Sequence, residues 1–458
     1  MPLPTLIEIV PLDKPVHAEI TVPGSKSITN RALVLAALAD GETTLQGALW
    51  SEDTQVMVEC LQELGYMVNV APDPNETCNR TITVYGLGGK VPRGGTVEQP
   101  LELFVGNAGT TARFLTAMVC LGEGVYRLHG VPRMHERPQA ALFQALRQLG
   151  YRIDSNNDKL PALVHGVGRK PVARCAVSIE DSSQFASALL LAAKVGGWDV
   201  EVTGENAEES PYVVMTSELV KVFPHRGGKF QIEPDASSGS YFWGVGWLIF
   251  VFDLRKAKNT ALVELGRPLN QSESLPLRSY QKSEIIVSRW PGSKWQIDAD
   301  FTIFYRAHHG NPPVEVSRKH DLGDSVMTGI TLAPVAGQVV RFTDLGRLRV
   351  QECERVVALR TELTKCGAKV IEEGDTLTVY PSQLHGAEIE TYNDHRMAMC
   401  FAILGLKVPG IKIKNPACVK KTFPNFFQKL AAAPPQGLGV TILDASGRKL
   451  AHDELFAE

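Results

Sequence analysis

Residues 140–153 read AALFQALRQLGYRI, and the way this stretch ends decides the fold. Apolar side chains recur at three- and four-residue spacing up to Leu149, the pattern of an amphipathic helix. Gly150 follows, then a strand start. A glycine just past the last turn takes the left-handed conformation at no steric cost, so it ends helices efficiently. The same form recurs at 55–68 (QVMVECLQELGYMV) around Gly65 and at 357–370 (VALRTELTKCGAKV) around Gly367, with a weaker copy at 217–232 (SELVKVFPHRGGKFQI). Helix–glycine–strand is a common joint in α/β proteins. Its recurrence across the whole chain predicts a fold assembled from similar α/β modules.

Length and composition agree with that reading. A chain of 458 residues is too long for one ordinary core, so two domains are expected. Its 44% hydrophobic and 21% charged residues are those of an average globular protein. The net charge of −3, from 47 basic and 50 acidic residues, argues against a nucleic-acid partner. Any anion site must therefore come from basic side chains gathered locally. The eight cysteines show no Cys-x-x-Cys pair, which speaks against a zinc ribbon and for reduced thiols in a cytoplasmic protein. The N-terminus lacks the basic and apolar blocks of a secretory signal. The most apolar run, residues 242–252 (FWGVGWLIFVF), is too short to cross a membrane. Connectors rich in glycine and proline lie at 86–100 and 203–212, and residues 434–458 read as a C-terminal tail without an assigned role.

Several polar segments interrupt this pattern just before apolar helices. Residues 21–31 (TVPGSKSITNR) combine Gly24, Ser25, Lys26, Ser27 and Arg31. Small residues let backbone N–H groups approach an anion, and a helix N-terminus adds a favourable partial charge. The segment is not a P-loop, since it lacks the Gly-Lys-Ser/Thr signature. Residues 104–114 (FVGNAGTTARF) repeat the logic with Asn107, Gly109, Thr110 and Arg113. Residues 131–138 (VPRMHERP) place Arg133, His135 and Arg137 in a loop; 181–185 (DSSQF) and 233–240 (EPDASSGS) offer hydroxyls that serve equally as plain N-caps. In the C-terminal half, 320–327 (HDLGDSVM) set Asp321 and Asp324 before a helix. Residues 349–355 (RVQECER) put Glu352 and Arg355 three apart, by default an exposed salt bridge on a helix face. Residues 391–399 (TYNDHRMAM) and 420–424 (KKTFP) add Asp394, His395, Arg396 and Lys421. The inventory of cations points to a ligand with several negative charges. With no cysteine–histidine cluster and no dinucleotide motif, acid–base chemistry falls to carboxylates and lysines.

Taken in order, PGSKSxxNRALxLAAL, GNAGTxxR, PRMxERP, SSQF, DASS and YNDHRMAMCF…KTFP resemble the motifs of the 5-enolpyruvylshikimate-3-phosphate (EPSP) synthase family, over residues 8–243 and 314–430. The resemblance implies transfer of the enolpyruvyl group of phosphoenolpyruvate to the 5-hydroxyl of shikimate-3-phosphate, with release of phosphate. It implies an α/β fold of two similar domains, each of three βαβαββ units in an inside-out α/β barrel, with the active site in the interdomain cleft. The domains would be 22–240, on the shikimate-3-phosphate side, and 1–21 with 241–433, on the phosphoenolpyruvate side. The implied partners are the two small-molecule substrates alone, with no nucleic acid, no membrane and no cofactor or metal, in a cytoplasmic monomer. By motif, Ser27, Arg31, Ser182, Ser183 and Tyr212 would hold shikimate-3-phosphate, and Lys26 would touch both ligands. Asn107, Gly109, Arg113, Arg133, Arg355, Arg396 and Lys421 would hold phosphoenolpyruvate, with Gln184 between the two. Asp324 would accept the hydroxyl proton, Glu352 would protonate the methylene carbon, and Lys26 would help stabilise the leaving phosphate.

The chain departs from the family pattern in places. Gln351 stands where lysine often precedes the glutamate, so one substrate contact is altered. Glu209 stands where a phosphate-binding serine is common, with Ser210 beside it, and His135 replaces a usual lysine. Residues 244–313 do not read like the family. The resemblance also implies glyphosate as a competitor of phosphoenolpyruvate: Gly109 leaves room for it, whereas Phe114, at a frequent proline position, would shift the helix start. UDP-N-acetylglucosamine enolpyruvyl transferase, a relative of the same fold, calls for a Lys-Asn pair and a loop cysteine; Lys26 is followed by Ser27 and 131–138 hold no cysteine. Asp324 and Glu352 argue against a homologue that binds without turnover.

Overall fold

The computed structural model describes residues 3–170, 173–204, 210–265, 283–305 and 311–458, with backbone only for Asn259 and 261–265. Glu209 and the middle of the 244–313 segment lie outside the described residues. The chain divides into two compact units. One comprises Pro23–Asp235 with Ser293–Gln296, the other Met1–Val22, Ala236–Gly292 and Ile297–Glu458.

The first unit is built on three parallel strand pairs. Gly228–Gln231 runs beside Asp40–Leu49, Leu101–Phe104 beside Glu123–His129, and Ala173–Ser178 beside Trp198–Thr203. A helix leads into the second strand of each pair: Lys26–Leu38, Gly109–Val119 and Ser183–Gly196. Two pairs are extended by antiparallel hairpins into four-stranded sheets. The apolar faces close on one core that includes Leu33, Leu115, Phe143 and Phe185.

The second unit repeats the scheme. Its pairs are His17–Ile20 with Glu284–Val287, Glu315–Ser317 with Val340–Thr343, and Glu388–Ile389 with Lys412–Lys414. Their helices are Ala236–Leu265, Val326–Leu332 and His395–Gly405. Six of the polar segments singled out (21–31, 104–114, 181–185, 233–240, 320–327 and 391–399) thus open equivalent helices and share one structural position; 131–138, 349–355 and 420–424 belong to other elements.

The glycine joints form as the pattern requires. Gly65, Gly150 and Gly367 have φ of 91°, 83° and 87°. The next residue in each case donates its amide to a carbonyl five residues back: Tyr66 to Leu61, Tyr151 to Leu146, and Ala368 to Leu363. This is the Schellman closure, which satisfies carbonyls that a helix end leaves open. The weaker copy differs. Its helix Pro211–Val222 stops before Pro224, and the strand starts only at Gly228.

Three sequence readings need correction. Residues 131–138 hold a helical turn, Pro132–Glu136, rather than an open loop, because Pro132 suits the first helical position. Glu352 and Arg355 do not share a helix face, since the helix begins at Arg355 and Glu352 lies in the bend before it. Residues 434–458 belong to the second unit: Ile442–Asp444 pairs antiparallel with Leu6–Ile9, giving the sheet order of the other hairpin-extended sheets. The apolar run 242–252 is core. Phe242, Val245, Trp247 and Leu248 are fully buried, and Trp247 meets Tyr305 edge-on with ring centroids 5.3 Å apart. Among the described residues no helix is long and apolar enough to cross a membrane.

Candidate active site

The first unit carries the larger share of the predicted residues. Lys26 opens its helix, and its ammonium lies 3.1 Å from Asp53 Oδ2. Ser27 lies one residue on and accepts, at its carbonyl, a bond of 2.9 Å from Arg31 Nη1. Arg31 points inward: Nε donates to Thr216 Oγ1 at 2.7 Å and Nη2 to Ser187 Oγ at 2.9 Å. Burial pulls its pKa down to about 10 despite Tyr212 nearby. Arg31 therefore ties three helices together, and Tyr212 closes the network by accepting from Thr216 at its carbonyl. Ser182 caps the helix Ser183–Gly196 by accepting from the Gln184 amide at 3.2 Å, and Ser183 is buried in its first turn.

Two guanidinium groups converge over Gly109. A β-carbon there would lie 2.5 Å from Arg113 Nη1 and 2.8 Å from Arg137 Nη2. Arg113 donates to the Pro138 carbonyl at 2.9 Å, and Arg137 to the Asn107 carbonyl at 3.1 Å. Both forks are thus anchored by backbone oxygens of the segments that flank them. Arg133, assigned by motif, instead pairs with Glu136 at 2.6 Å on the exposed side of its turn. Arg137 appeared in the sequence only as a loop cation, since nothing in its spacing marked it over Arg133. His135 Nε2 accepts from the Gly130 amide at 3.1 Å, fixing the turn. The buried side-chain oxygens of Asn107 and Gln184 have no protein partner among the described residues.

The second unit carries the rest as a compact charge network. Arg355 is only 1% exposed and Asp394 fully buried; Arg355 Nε lies 2.7 Å from Asp394 Oδ2. Asp394 also caps the helix His395–Gly405, accepting from the Arg396 amide at 2.8 Å. Arg355 Nη2 lies 2.8 Å from Glu352 Oε2, and Lys421 Nζ lies 3.3 Å from Glu352 Oε1. Gln351 bonds Arg355 Nη1 through its amide oxygen, so the residue that departs from the family pattern still serves the network. The Glu352–Arg355 pair expected at the surface is therefore an interior one.

Asp324 sits among three guanidiniums. Arg318 Nη2 donates to its Oδ1 at 2.7 Å, while Arg396 Nη2 and Arg355 Nη1 lie 3.4 and 4.0 Å from Oδ2. Burial would raise its pKa, but Arg396, Arg318 and Arg355 together hold it well below the usual carboxylate range. The result is an ionised, oriented carboxylate beside cations suited to phosphate and carboxylate, with a second carboxylate, Glu352, between Arg355 and Lys421.

The family model EPSP synthase (3-phosphoshikimate 1-carboxyvinyltransferase) matches residues 11–249 and 281–430. The chain is 36% identical over 449 residues to the 3-phosphoshikimate 1-carboxyvinyltransferase of Trichormus variabilis, covering 92% of this chain and 98% of that one. It is 35% identical to the protein of the same name from Opitutus terrae, covering 96% of this chain and 100% of that one. In fold it is similar to an EPSP synthase from Acinetobacter baumannii, with TM-score 0.71 at 19% identity over 95% of this chain and 99% of that one. It is also similar to the enolpyruvyl transferase NikO from Streptomyces tendae, with TM-score 0.61 at 15% identity over 98% and 99% of the two chains.

Proposed function

Because the chain belongs to the EPSP synthase (3-phosphoshikimate 1-carboxyvinyltransferase) family, we propose a division of labour between its two units. The reaction is transfer of the enolpyruvyl group of phosphoenolpyruvate to the 5-hydroxyl of shikimate-3-phosphate, with release of phosphate, in the shikimate pathway of aromatic amino-acid biosynthesis. Ser27, Ser182, Ser183 and Tyr212 hold shikimate-3-phosphate, with Arg31 bracing the helices that carry them. Asn107, Arg113 and Arg137 hold phosphoenolpyruvate from the first unit, over Gly109, and Arg137 takes the place that the motif gave to Arg133. Arg355, Arg396 and Lys421 hold it from the second. Lys26 and Gln184 serve both ligands.

Asp324 takes the proton of the 5-hydroxyl as that oxygen bonds to C2 of phosphoenolpyruvate, and Glu352 delivers a proton to C3. The tetrahedral adduct then returns the C3 proton, the bond from C2 to the phosphate oxygen breaks, and the hydroxyl proton leaves with phosphate. Arg355 and Lys421, which neutralise Glu352 in the free protein, turn to the anionic substrate. The finer architecture belongs to the same proposal: two domains of three βαβαββ units, each an inside-out α/β barrel, with the substrates between them in a cytoplasmic monomer. Its support is the repetition of three parallel strand–helix–strand pairs in each unit.

One observation carries the catalytic reading: Asp324, ionised and oriented among arginines, at a helix start equivalent to those that bear the other motifs. The test is phosphate release from the purified protein with both substrates, against either alone. Phosphate is expected only with both. Asp324→Ala should abolish that release while shikimate-3-phosphate binding stays within about twofold; turnover retained by this variant would sink the assignment.

A further inference from the structure

We propose that Arg318 is a positioning residue for the proton transfer: it holds Oδ1 of Asp324 so that Oδ2 alone is presented to the reacting hydroxyl. The inference rests on the functional reading above. No motif marks Arg318, which is absent from the inventory of anion-binding residues drawn from the sequence.

The geometry supports this in three ways. Arg318 is interior, its side chain 8% exposed, and it makes the shortest of Asp324's three guanidinium contacts, at 2.7 Å. The other two face Oδ2, so the carboxylate oxygens are divided between different partners. The segment that carries both residues is fixed at several points. Ser317 Oγ accepts from the amides of Lys319 and His320 at 3.1 Å each, and Asp321 Oδ2 accepts from the Ser317 amide at 2.7 Å. Gly323 turns with φ of 51°, a conformation glycine takes without strain, and the Ser325 amide donates to buried Asp298 Oδ1. Arg318 and Asp324 are thus held six residues apart on a rigid turn.

Phosphoenolpyruvate changes the balance at Oδ2. Its carboxylate and phosphate engage Arg355 and Arg396, and the cations that suppress the basicity of Oδ2 become neutralised. Arg318, assigned to neither substrate, stays on Oδ1. The base therefore gains strength when the second substrate arrives without losing its orientation. The charged groups around it are Arg318 and Asp321 on its own turn, Asp298 from the packed 297–300 turn, Glu352 and Arg355, and Asp394 and Arg396.

The test compares Arg318→Gln and Arg318→Lys with wild type in phosphate release at saturating substrates. Arg318→Gln should lower kcat on the order of 10–100-fold, the range expected when a reacting group is misplaced. KM for phosphoenolpyruvate should change less than about threefold, because Arg355 and Arg396 remain. Removing a cation disfavours the carboxylate, so the acid limb of kcat should move to higher pH by about one unit. Arg318→Lys keeps the charge but not the planar fork, and should restore the position of the limb while recovering only part of kcat. Arg318→Gln with kcat within threefold of wild type and an unmoved limb overturns the proposal. So does either variant losing shikimate-3-phosphate binding along with turnover, since that marks a structural role. If wild type itself releases no phosphate with both substrates, the functional reading fails rather than this one.

Discussion

Gly109 shows how little space separates two guanidinium groups at the scale of one residue. The glycine is needed for what lies over it: the ends of Arg113 and Arg137 stand 2.5 and 2.8 Å from where a β-carbon would sit. Both are tips of flexible side chains, so Gly109→Ala should fold and displace the two forks. Losing the alignment of one charge-assisted bond costs about 1.5–3 kcal/mol, or roughly 10–150-fold in binding. KM for phosphoenolpyruvate should rise on that order while the dissociation constant of shikimate-3-phosphate stays within about threefold. Steady-state kinetics with calorimetric binding would show it, and an unchanged KM would remove Arg113 and Arg137 from the phosphoenolpyruvate site. Most of the candidate site was legible at this scale because glycine, serine and basic residues crowd before apolar helices in a recognisable order. The choice between Arg133 and Arg137 was not. It depends on a helical turn in which Arg133 meets Glu136 one turn on, leaving Arg137 at the end of the turn beside Asn107.

Helix starts make the site at the scale of elements, and one of them is joined to the buried charge network. Asp394 both caps the helix His395–Gly405 and receives Arg355 Nε, with no exposure to water. Asp394→Asn separates these roles, since asparagine caps a helix about as well as aspartate but brings no charge. Breaking a buried ion pair from one side costs about 3–5 kcal/mol. Glu352 remains beside Arg355, so the lower figure applies, and the thermal midpoint should drop on the order of 5–10 °C. Scanning calorimetry of the variant checks this; a midpoint within 2 °C, roughly what 0.5–1 kcal/mol would give, would show that the cap and not the ion pair is what holds Asp394 in place. The repeating joint was readable because a glycine at positive φ is a local requirement. The burial of Glu352 and Arg355 was not, because i,i+3 spacing says nothing about what packs over the pair. That is settled by residues far along the chain, such as Asp394 and Lys421.

The whole molecule closes each unit by bringing together segments remote in sequence, and the C-terminal segment shows what that closure is worth. Residues 434–458 carry no glycine-stopped amphipathic helix of their own, and so they read as a tail. In the fold they supply the strand Ile442–Asp444, which pairs with the strand Leu6–Ile9 from the other end of the chain. They also bury Leu438, Val440, Ile442, Leu450 and Leu455, and the Ala457 amide donates to the Pro424 carbonyl, three residues past Lys421. Five such side chains at about 1.5–3 kcal/mol each amount to roughly 8–15 kcal/mol as an upper bound. The net stability of a domain is about 5–15 kcal/mol, so this segment decides whether the second unit folds. A chain ending at Ala433 should be recovered with the second unit unfolded: no phosphate release, strong dye binding to exposed apolar surface, and a calorimetric enthalpy well below that of the full chain. The opposite result, a truncated protein with the full chain's enthalpy and turnover, would make the segment an appendage and leave the strand Leu6–Ile9 stable as a sheet edge.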